Sequence, residues 1–150
     1  MTDVVLLDFD GVISPYTKDL DSPPDHNPWG DSIQGPDRLF YSPSLIAALV
    51  ALPAELIWLT TRGTQAADEL AGPMGFPSMR SCPRRDSDGW YKLDWAMETA
   101  QAHRVAWFDD EAFDWRCPNP PKNLHIVQPD RTAGISPAEI ESVRRFFRGT

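Results

Sequence analysis

The chain has 150 residues, of which 41% are hydrophobic, and its formal net charge at pH 7 is −8. This length suits a single domain over residues 1–150 with a sizeable core, and the apolar content excludes general disorder. The acidic balance argues against a general electrostatic grip on nucleic acid, which requires a basic face. It leaves room for a metal ion that neutralises part of an acidic site.

The N-terminus, the length of the apolar runs and the cysteines predict where in the cell the protein is found. The N-terminal sequence MTDVVLLDFDG has no basic start, and its apolar run breaks at Asp8, so we expect no secretory signal peptide. No apolar run approaches the roughly 18 residues that a membrane span requires. Cys82 and Cys117 show no metal-binding spacing, so we expect reduced thiols. The sequence therefore predicts a soluble, cytoplasmic protein that does not bind a membrane.

The first predicted element is a strand over residues 4–9, a short continuous apolar run typical of a parallel strand that is covered on both faces. It ends in the sequence DFDG, in which Asp8 and Asp10 precede Gly11, a residue that allows a sharp turn. Residues 14–41 are rich in proline and aspartate and lack helical periodicity. They are predicted to form a loop.

A helix is predicted after this loop, with Ser42 as its N-cap and Pro43 at the first helical position. A second buried strand follows over residues 55–60 and ends in TTRG. Residues 64–72 then predict a helix that Gly72 and Pro73 terminate.

The second half of the chain repeats this alternation. Residues 92–103 predict a helix with Leu93, Met97 and Ala100 on one apolar face. The strand that follows, over residues 104–108, ends in DDE.

A last strand over residues 124–127 and a last helix complete the pattern, and Ser136 with Glu139 forms a predicted capping box. Strands that alternate with helices predict an α/β fold, a Rossmann-like three-layer sandwich with a central parallel sheet. Ligands bind such sheets beyond the carboxyl ends of the strands. We therefore expect three strand ends to converge at one edge: Asp8 with Asp10, Thr60 with Arg62, and Asp109 with Asp110.

The residues expected at that edge suit a phosphate ester. Asp8 can attack phosphorus as a nucleophile, and Asp10 can protonate the leaving oxygen and then activate water. Thr60 is preferred over Thr61 as the hydroxyl that binds the phosphate, and the N–H of Thr61 is a second donor. The threonine whose hydroxyl does not bind the phosphate can cap the next helix. Arg62 can bind the phosphate in a bidentate manner or lie at the helix start as a surface residue. The turn at Gly11 lets backbone N–H groups approach the phosphate.

Crowded carboxylates repel each other, and the same edge therefore predicts a cation. The candidate ligands are Asp8, Asp109, Asp110 and Asp10, the last through its backbone carbonyl, and Asp110 can bind directly or from a second layer. An all-oxygen site favours Mg²⁺ over zinc. Lys92 is the lysine expected to hold both the phosphate and the charge of the nucleophile.

These segments resemble a known family. DFDGV, LTTR, the lysine at position 92 and WFDDE are similar, in order and spacing, to the four motifs of the haloacid dehalogenase (HAD) superfamily of phosphohydrolases, over residues 3–128. The resemblance implies a HAD-like fold and an aspartyl-phosphate mechanism. The roles it implies are Asp8 as nucleophile, Asp10 as general acid and base, Thr60 as phosphate ligand, Lys92 as stabilising cation, and Asp109 and Asp110 as metal ligands.

A narrower resemblance is to the HAD-type domain of Swiss-army-knife RNA-repair proteins, carried by IWLTT, WFDDE and PDRTAGISPAEI. TTR also resembles the S-x-R sequence of polynucleotide-kinase phosphatase domains, which implies that Arg62 contacts the phosphate. Neither gap between motifs is long enough for a separate cap domain. We therefore expect a capless, open site for the phosphate of a nucleotide, a nucleic-acid end or a phosphoprotein, or for a small substrate enclosed by a second subunit of a homo-oligomer.

Other residues extend this picture. Arg80, Arg84 and Arg85 are candidates for steering a polyanion, and Trp29, Trp90 and Tyr91 for stacking on a base. The main alternative is a catalytically silent HAD-like module that binds a phosphorylated ligand or a protein partner. A phosphotransferase or a dehalogenase of the same fold is a third hypothesis, and Asp10 disfavours the dehalogenase because that reaction has no leaving oxygen to protonate.

Overall fold

The computed structural model describes residues 2–86, 90–112 and 119–149, without the side chains of residues 65–68. Cys117 therefore lies outside the described residues, and Cys82 is a free thiol. The strands in this part of the chain are β1 (Asp3–Leu7), β2 (Ile33–Gln34), β3 (Phe40–Tyr41), β4 (Glu55–Trp58), β5 (Arg104–Phe108) and β6 (Leu124–Val127). The α-helices are α1 (Pro43–Val50), α2 (Gly63–Met74), α3 (Tyr91–Thr99) and α4 (Pro137–Phe147).

A parallel sheet forms the centre of the described structure. Its strand order is β4-β1-β5-β6, and β1 pairs with both β4 and β5. Leu7 lies opposite Trp58 on one side and Phe108 on the other, and Phe108 lies opposite Val127. The four strands therefore reach the same edge in register. The predicted α/β class is confirmed, and the arrangement is compatible with a Rossmann-like fold.

Helices cover both faces of this sheet because alternate strand residues point to opposite faces. Val5 and Leu7 contribute to one apolar cluster with residues of α1, α2 and α4. Val4 and Leu6 contribute to a second cluster with residues of α3. Trp58 and Trp107 are buried, one in each cluster, as their positions in apolar runs predict.

Two of the predicted helix starts are confirmed in detail. The Ser42 side chain accepts a hydrogen bond from the Leu45 N–H, with Pro43 at the first helical position of α1. Ser136 and Glu139 form a capping box at the start of α4, in which each side chain bonds the backbone N–H of the other residue. These ends were predictable because capping depends only on residues within one turn.

The predicted end of α2 was wrong. The helix continues through Pro73 to Met74 and ends at Gly75, which has a φ of 108°. A proline in the last turn removes one helical hydrogen bond, and the Gly75 N–H closes the helix by donating to the Gly72 carbonyl at 3.0 Å. The left-handed conformation at position 75 favours glycine and decides where the helix stops.

The predicted apolar face of α3 is confirmed for Ala100, which is 3% exposed, and for Leu93, which packs against the second cluster. The prediction was wrong for Met97, which lies on the exposed side of α3. The buried residues of the helix are Tyr91, Lys92 and Ala96, whereas Met97 is 36% exposed.

Besides the apolar face, α3 also buries Lys92, whose side chain lies at the carboxyl edge of the sheet between Asp8 and Asp109. A hydrophobicity pattern misses this because it scores lysine as a solvent-facing residue.

The predicted loop over residues 14–41 contains only a short hairpin. β2 and β3 are two residues each and antiparallel, and a single 3₁₀ turn over Pro36–Arg38 connects them. Within that turn Asp37 and Arg38 both have positive φ, 54° and 61°. In the part of the chain that the structure describes, no helix combines the length and apolar character needed to cross a membrane.

Candidate active site

Three carboxylates meet at the carboxyl edge of the sheet. Asp8 follows β1, and Asp109 and Asp110 follow β5 directly, with one oxygen of each lying within 4.8 Å of the others. All three are buried, with exposed fractions of 6%, 0% and 4%. The expected convergence of the first and third strand ends is therefore confirmed for these residues.

Lys92 lies between two of these carboxylates. Its Nζ is 2.8 Å from Oδ2 of Asp109 and 3.2 Å from Oδ2 of Asp8. Burial alone would lower the pKa of Lys92, but the charges of Asp8 and Asp109 outweigh burial and raise it. The ammonium therefore stays charged and links the nucleophile candidate to the neighbouring strand end.

One lysine does not balance the carboxylates. Burial, and next the charge of Asp8, raises the pKa of Asp109 to about 7. The same two causes raise the pKa of Asp110 to about 6. Each of these carboxyl groups is therefore harder to ionise than an ordinary aspartate, and additional positive charge would stabilise their ionised forms.

The oxygen atoms of the three carboxylates differ in how they are satisfied. Asp8 Oδ1 accepts from the Phe9 N–H at 2.8 Å, and Asp109 Oδ1 accepts from the Glu111 N–H at 2.9 Å. Asp110 Oδ2 is buried and has no hydrogen-bond partner. The nearest cation described for it, Arg131 Nε, is 3.6 Å away, which is beyond hydrogen-bond distance. A buried, unsatisfied carboxylate oxygen beside two other carboxylates fits a hard metal ion.

Gly11 shapes the turn above this group. Its φ of 76° lies in the left-handed region, and a Cβ at this position would lie 2.7 Å from Oδ2 of Asp110. Backbone bonds fix the turn: the Ile13 N–H donates to the Phe9 carbonyl at 2.9 Å, and the Gly11 N–H to the Ser14 carbonyl at 2.8 Å. Glycine is thus required both by conformation and by the space that Asp110 occupies.

Asp10 lies apart from the three-carboxylate group and pairs with Arg62. The guanidinium binds it in a bidentate manner, with Nε to Oδ2 and a terminal nitrogen to Oδ1 both at 2.8 Å. Arg62 also lies over the ring of Phe9, 5.3 Å from its centroid. The sequence analysis expected Arg62 on a phosphate or on the surface, and its pairing with Asp10 was not predicted.

The two candidate phosphate threonines lie in different environments. Thr60 is buried, and its Oγ1 accepts from the Arg62 N–H at 3.3 Å. Thr61 is exposed. Arg62 occupies the N-cap position of α2 without a side-chain cap, so neither threonine is the N-cap of that helix.

Two further residues border the site and were missed from the sequence. Arg131 approaches Asp110, as described above, and its carbonyl accepts from the Tyr16 N–H at 2.8 Å. Burial, and next the charges of Asp110, Asp10 and Asp8, raises the pKa of Tyr16. No spacing pattern marks either residue, because they reach the site only through the fold of two loops.

Two of the three candidate steering arginines are engaged in surface ion pairs. Arg80 pairs with Glu55 and Arg85 with Glu98, each at 2.8 Å. The third candidate, Arg84, has its guanidinium 5.9 Å from the centroid of the Tyr91 ring.

The candidate stacking residues pack against the protein itself. Trp29 Nε1 donates to the Ile135 carbonyl at 2.8 Å, and Tyr91 is 7% exposed. Trp90 lies against Trp107, with 5.4 Å between ring centroids.

Comparison with known proteins adds no further constraint. No protein-family model matches the chain, and no curated protein or solved structure matches it. The functional interpretation therefore depends on the geometry described above.

Proposed function

We propose that this protein is a Mg²⁺-dependent phosphohydrolase of the haloacid dehalogenase type, which forms an aspartyl-phosphate on Asp8. One observation carries the proposal: three buried carboxylates lie within 4.8 Å of one another, and one buried lysine pairs with two of them, Asp8 and Asp109. The resemblance in sequence to the four HAD motifs agrees with it.

A purely structural role explains this cluster poorly. Asp8, Asp109 and Asp110 carry three negative charges when ionised, against one from Lys92 and a longer contact from the half-exposed Arg131. Burying charges without full compensation costs several kcal/mol per ion in real proteins. A stabilising ion pair would need one acid and one base. The excess of carboxylates supports a site that holds a cation.

The donor set fits Mg²⁺ chemistry. Asp8, Asp109 and Asp110 supply hard oxygen ligands, and the unsatisfied Oδ2 of Asp110 is available to bind a Mg²⁺ ion. When bound, the ion supplies positive charge that offsets the charge developing on a transferring phosphoryl group. The backbone carbonyl of Asp10, expected from the sequence as a further ligand, belongs to the same proposal.

In the first step an oxygen of Asp8 forms a bond to phosphorus while the bond from phosphorus to the leaving oxygen breaks. Lys92 holds the ionised form of Asp8, because its ammonium lies 3.2 Å from Oδ2. Thr60 and the backbone of Thr61 orient the phosphate oxygens. The proton that the leaving oxygen needs comes from Asp10.

In the second step Asp10 takes a proton from water, and the water oxygen attacks phosphorus and releases Asp8 and inorganic phosphate. For either transfer Asp10 must be released from the bidentate pair with Arg62. A phosphate dianion is a natural competitor for that guanidinium. We therefore propose that substrate binding moves Arg62 from Asp10 to the phosphate and frees the acid.

The site we propose is capless and open. The gap between the first two motifs contributes only the short β2–β3 hairpin and α1, and the described part of the second gap contributes α2 and a loop. Access would then be limited by loops alone. A partner subunit in a homo-oligomer remains a further way to enclose a small substrate.

The Arg62–Asp10 pair also favours the main alternative, a silent HAD-like module that binds a phosphorylated ligand. In that case Arg62 and Asp10 would form a permanent structural pair, and the three carboxylates would bind a metal ion without turnover. Turnover decides between the two functions.

The test is hydrolysis of an aryl phosphate with Mg²⁺. We expect activity that a chelator abolishes and that Asp8→Asn lowers by roughly 10⁴-fold or more, because the nucleophile is lost. Asp3→Asn, at the opposite end of the same strand, is the matched control and should leave activity unchanged. Activity that survives Asp8→Asn, or ignores the chelator, would contradict the proposal.

A further inference from the structure

A cavity of about 360 Å³ opens in the loop that follows the Gly11 turn. Its lining includes Tyr16, Lys18, Asp19, Asp25 and Thr132. Pockets that take small molecules span about 300 to 1,000 Å³, so this cavity is at the lower end of that range. It is large enough for part of a substrate and too small for a folded partner.

The cavity is connected to the candidate active site through Arg131. Tyr16, in its wall, donates its N–H to the Arg131 carbonyl at 2.8 Å, and Arg131 Nε is 3.6 Å from Oδ2 of Asp110. Thr132, the next residue, lines the same cavity. One short path of contacts therefore runs from the carboxylate group to the cavity. After burial, the charges of the carboxylates at the site raise the pKa of Tyr16, which agrees with this proximity.

The lining favours an aromatic group that has hydrogen-bond donors. Tyr16 is 50% exposed, which leaves ring surface for stacking. Asp19 and Asp25 are acceptors, and Lys18 pairs with Asp25 at 3.6 Å, which leaves one excess negative charge. A group that carried further phosphates would be repelled, whereas amino and hydroxyl groups would find acceptors.

We propose that this cavity binds the leaving group of the substrate, and that the leaving group is the nucleoside of a mononucleotide. This inference rests on the proposed function, since it places the phosphate at Asp8 and the base against Tyr16. It names a substrate class, a nucleoside monophosphate, and one residue that determines specificity.

A mononucleotide fits better than the end of a nucleic acid. An oligonucleotide would carry further phosphates past the site, and this chain has a net charge of −8. Two of the three arginines expected to steer a polyanion, Arg80 and Arg85, are paired with glutamates. The structure thus favours a single phosphate with a neutral leaving group.

The test compares three substrates with the Mg²⁺-loaded enzyme: adenosine monophosphate, ribose 5-phosphate and a 5′-phosphorylated oligonucleotide. Ribose 5-phosphate carries a hydroxyl group in place of the base. We expect kcat/KM to favour the mononucleotide over ribose 5-phosphate by about five- to hundred-fold, the range that stacking on an aromatic ring provides. Equal kcat/KM for these two substrates, or preference for the oligonucleotide, would overturn the inference.

Variants localise the effect. Tyr16→Ala should remove most of the preference by lowering kcat/KM for the mononucleotide alone, and Tyr16→Phe should keep it because the ring remains. Leu20→Ala is the control, since Leu20 lies in the same loop, is 67% exposed and does not line the cavity. Equal losses on both substrates in Tyr16→Ala would contradict a role in recognising the base.

A binding experiment separates this inference from the proposed function. Adenosine, which has no phosphate, is titrated into the wild type and Tyr16→Ala while NMR line broadening of the ligand is followed. Loss of adenosine binding in Tyr16→Ala supports the nucleoside site even if no phosphate ester is hydrolysed. Hydrolysis of an aryl phosphate without adenosine binding leaves the phosphatase proposal standing and removes this one.

Discussion

The charged residues at the two ends of β1 and β5 are arranged differently. At the amino ends Asp3 lies opposite Arg104, and the guanidinium binds the carboxylate through two hydrogen bonds of 2.8 Å. At the carboxyl ends, Lys92 serves both Asp8 and Asp109, and Asp110 adds a third carboxylate. The same two strands therefore support a balanced pair at one edge and an excess of acid at the other.

The two ends differ in whether their charges are balanced. The Asp3–Arg104 pair matches one acid with one base, and the Arg104 side chain is 32% exposed, so the pair needs no further partner. The carboxylate group is buried, acidic in excess and incompletely hydrogen-bonded. An arrangement that costs stability is expected where a ligand completes it.

Removing the central cation should break the carboxylate group. Lys92→Met leaves buried carboxylates without their ammonium and should lower the free energy of unfolding by about 3 to 5 kcal/mol. Arg104→Met, at the balanced end, should cost about 1 kcal/mol or less because the pair is partly exposed. Chemical denaturation of both variants measures the contrast, and equal losses would mean that the two ends do not differ in kind.

The space above Asp110 can be tested with two glycines of nearly equal conformation. Gly11 and Gly30 have φ of 76° and 78°, so alanine strains both by about 1 kcal/mol or more. A Cβ at Gly11 would also contact Asp110, whereas one at Gly30 meets nothing within 4 Å.

Gly11→Ala should therefore be the more destabilising variant, and it alone should weaken Mg²⁺ binding in calorimetry. Unchanged Mg²⁺ affinity in Gly11→Ala would argue that Asp110 does not contribute to the metal site.

A smaller effect follows from proton binding at the carboxylates. The pKa values of Asp109, about 7, and Asp110, about 6, are raised above the ordinary value of 3.8. At pH values between 3.8 and these raised values, the two carboxyl groups bind more protons in the folded protein than in the unfolded chain. Without metal, the contribution of Asp109 and Asp110 to the free energy of unfolding therefore grows as pH falls. Mg²⁺ needs ionised carboxylates and should stabilise the protein more as pH rises.

The measurement is thermal unfolding at about pH 5.5 and about pH 7.5, with and without Mg²⁺. Asp109→Asn is the reference, because the titration of other groups is common to both proteins. A Mg²⁺ effect that is equal at the two pH values in the wild type would contradict this account.

Local signals predicted much of the fold. The four strands of the sheet, the Ser42 cap and the Ser136 capping box all depend on residues that are close in sequence. The convergence of Asp8 with Asp109 was predictable as well, because parallel strands end at one edge. The contact of Lys92 with Asp8 was also expected from the sequence.

The errors arise where distant residues decide. Met97 is exposed although its spacing placed it on the apolar face, and the Arg62–Asp10 pair joins residues 52 positions apart. Tyr16 and Arg131 likewise meet the site only when two loops fold together. Periodicity and capping carry no information about such contacts, so they had to be read from the structure.

The central claim is that Asp8 is a nucleophile held at a divalent cation site, and beryllium fluoride tests it without a known substrate. This reagent mimics an aspartyl-phosphate by bonding to a carboxylate oxygen. In the presence of Mg²⁺, beryllium fluoride at roughly 100 times its own dissociation constant should raise the free energy of unfolding of the wild type by about 2.7 kcal/mol. Asp8→Asn should show no such gain. A wild type that does not respond, or an Asp8→Asn variant that responds equally, would contradict the account.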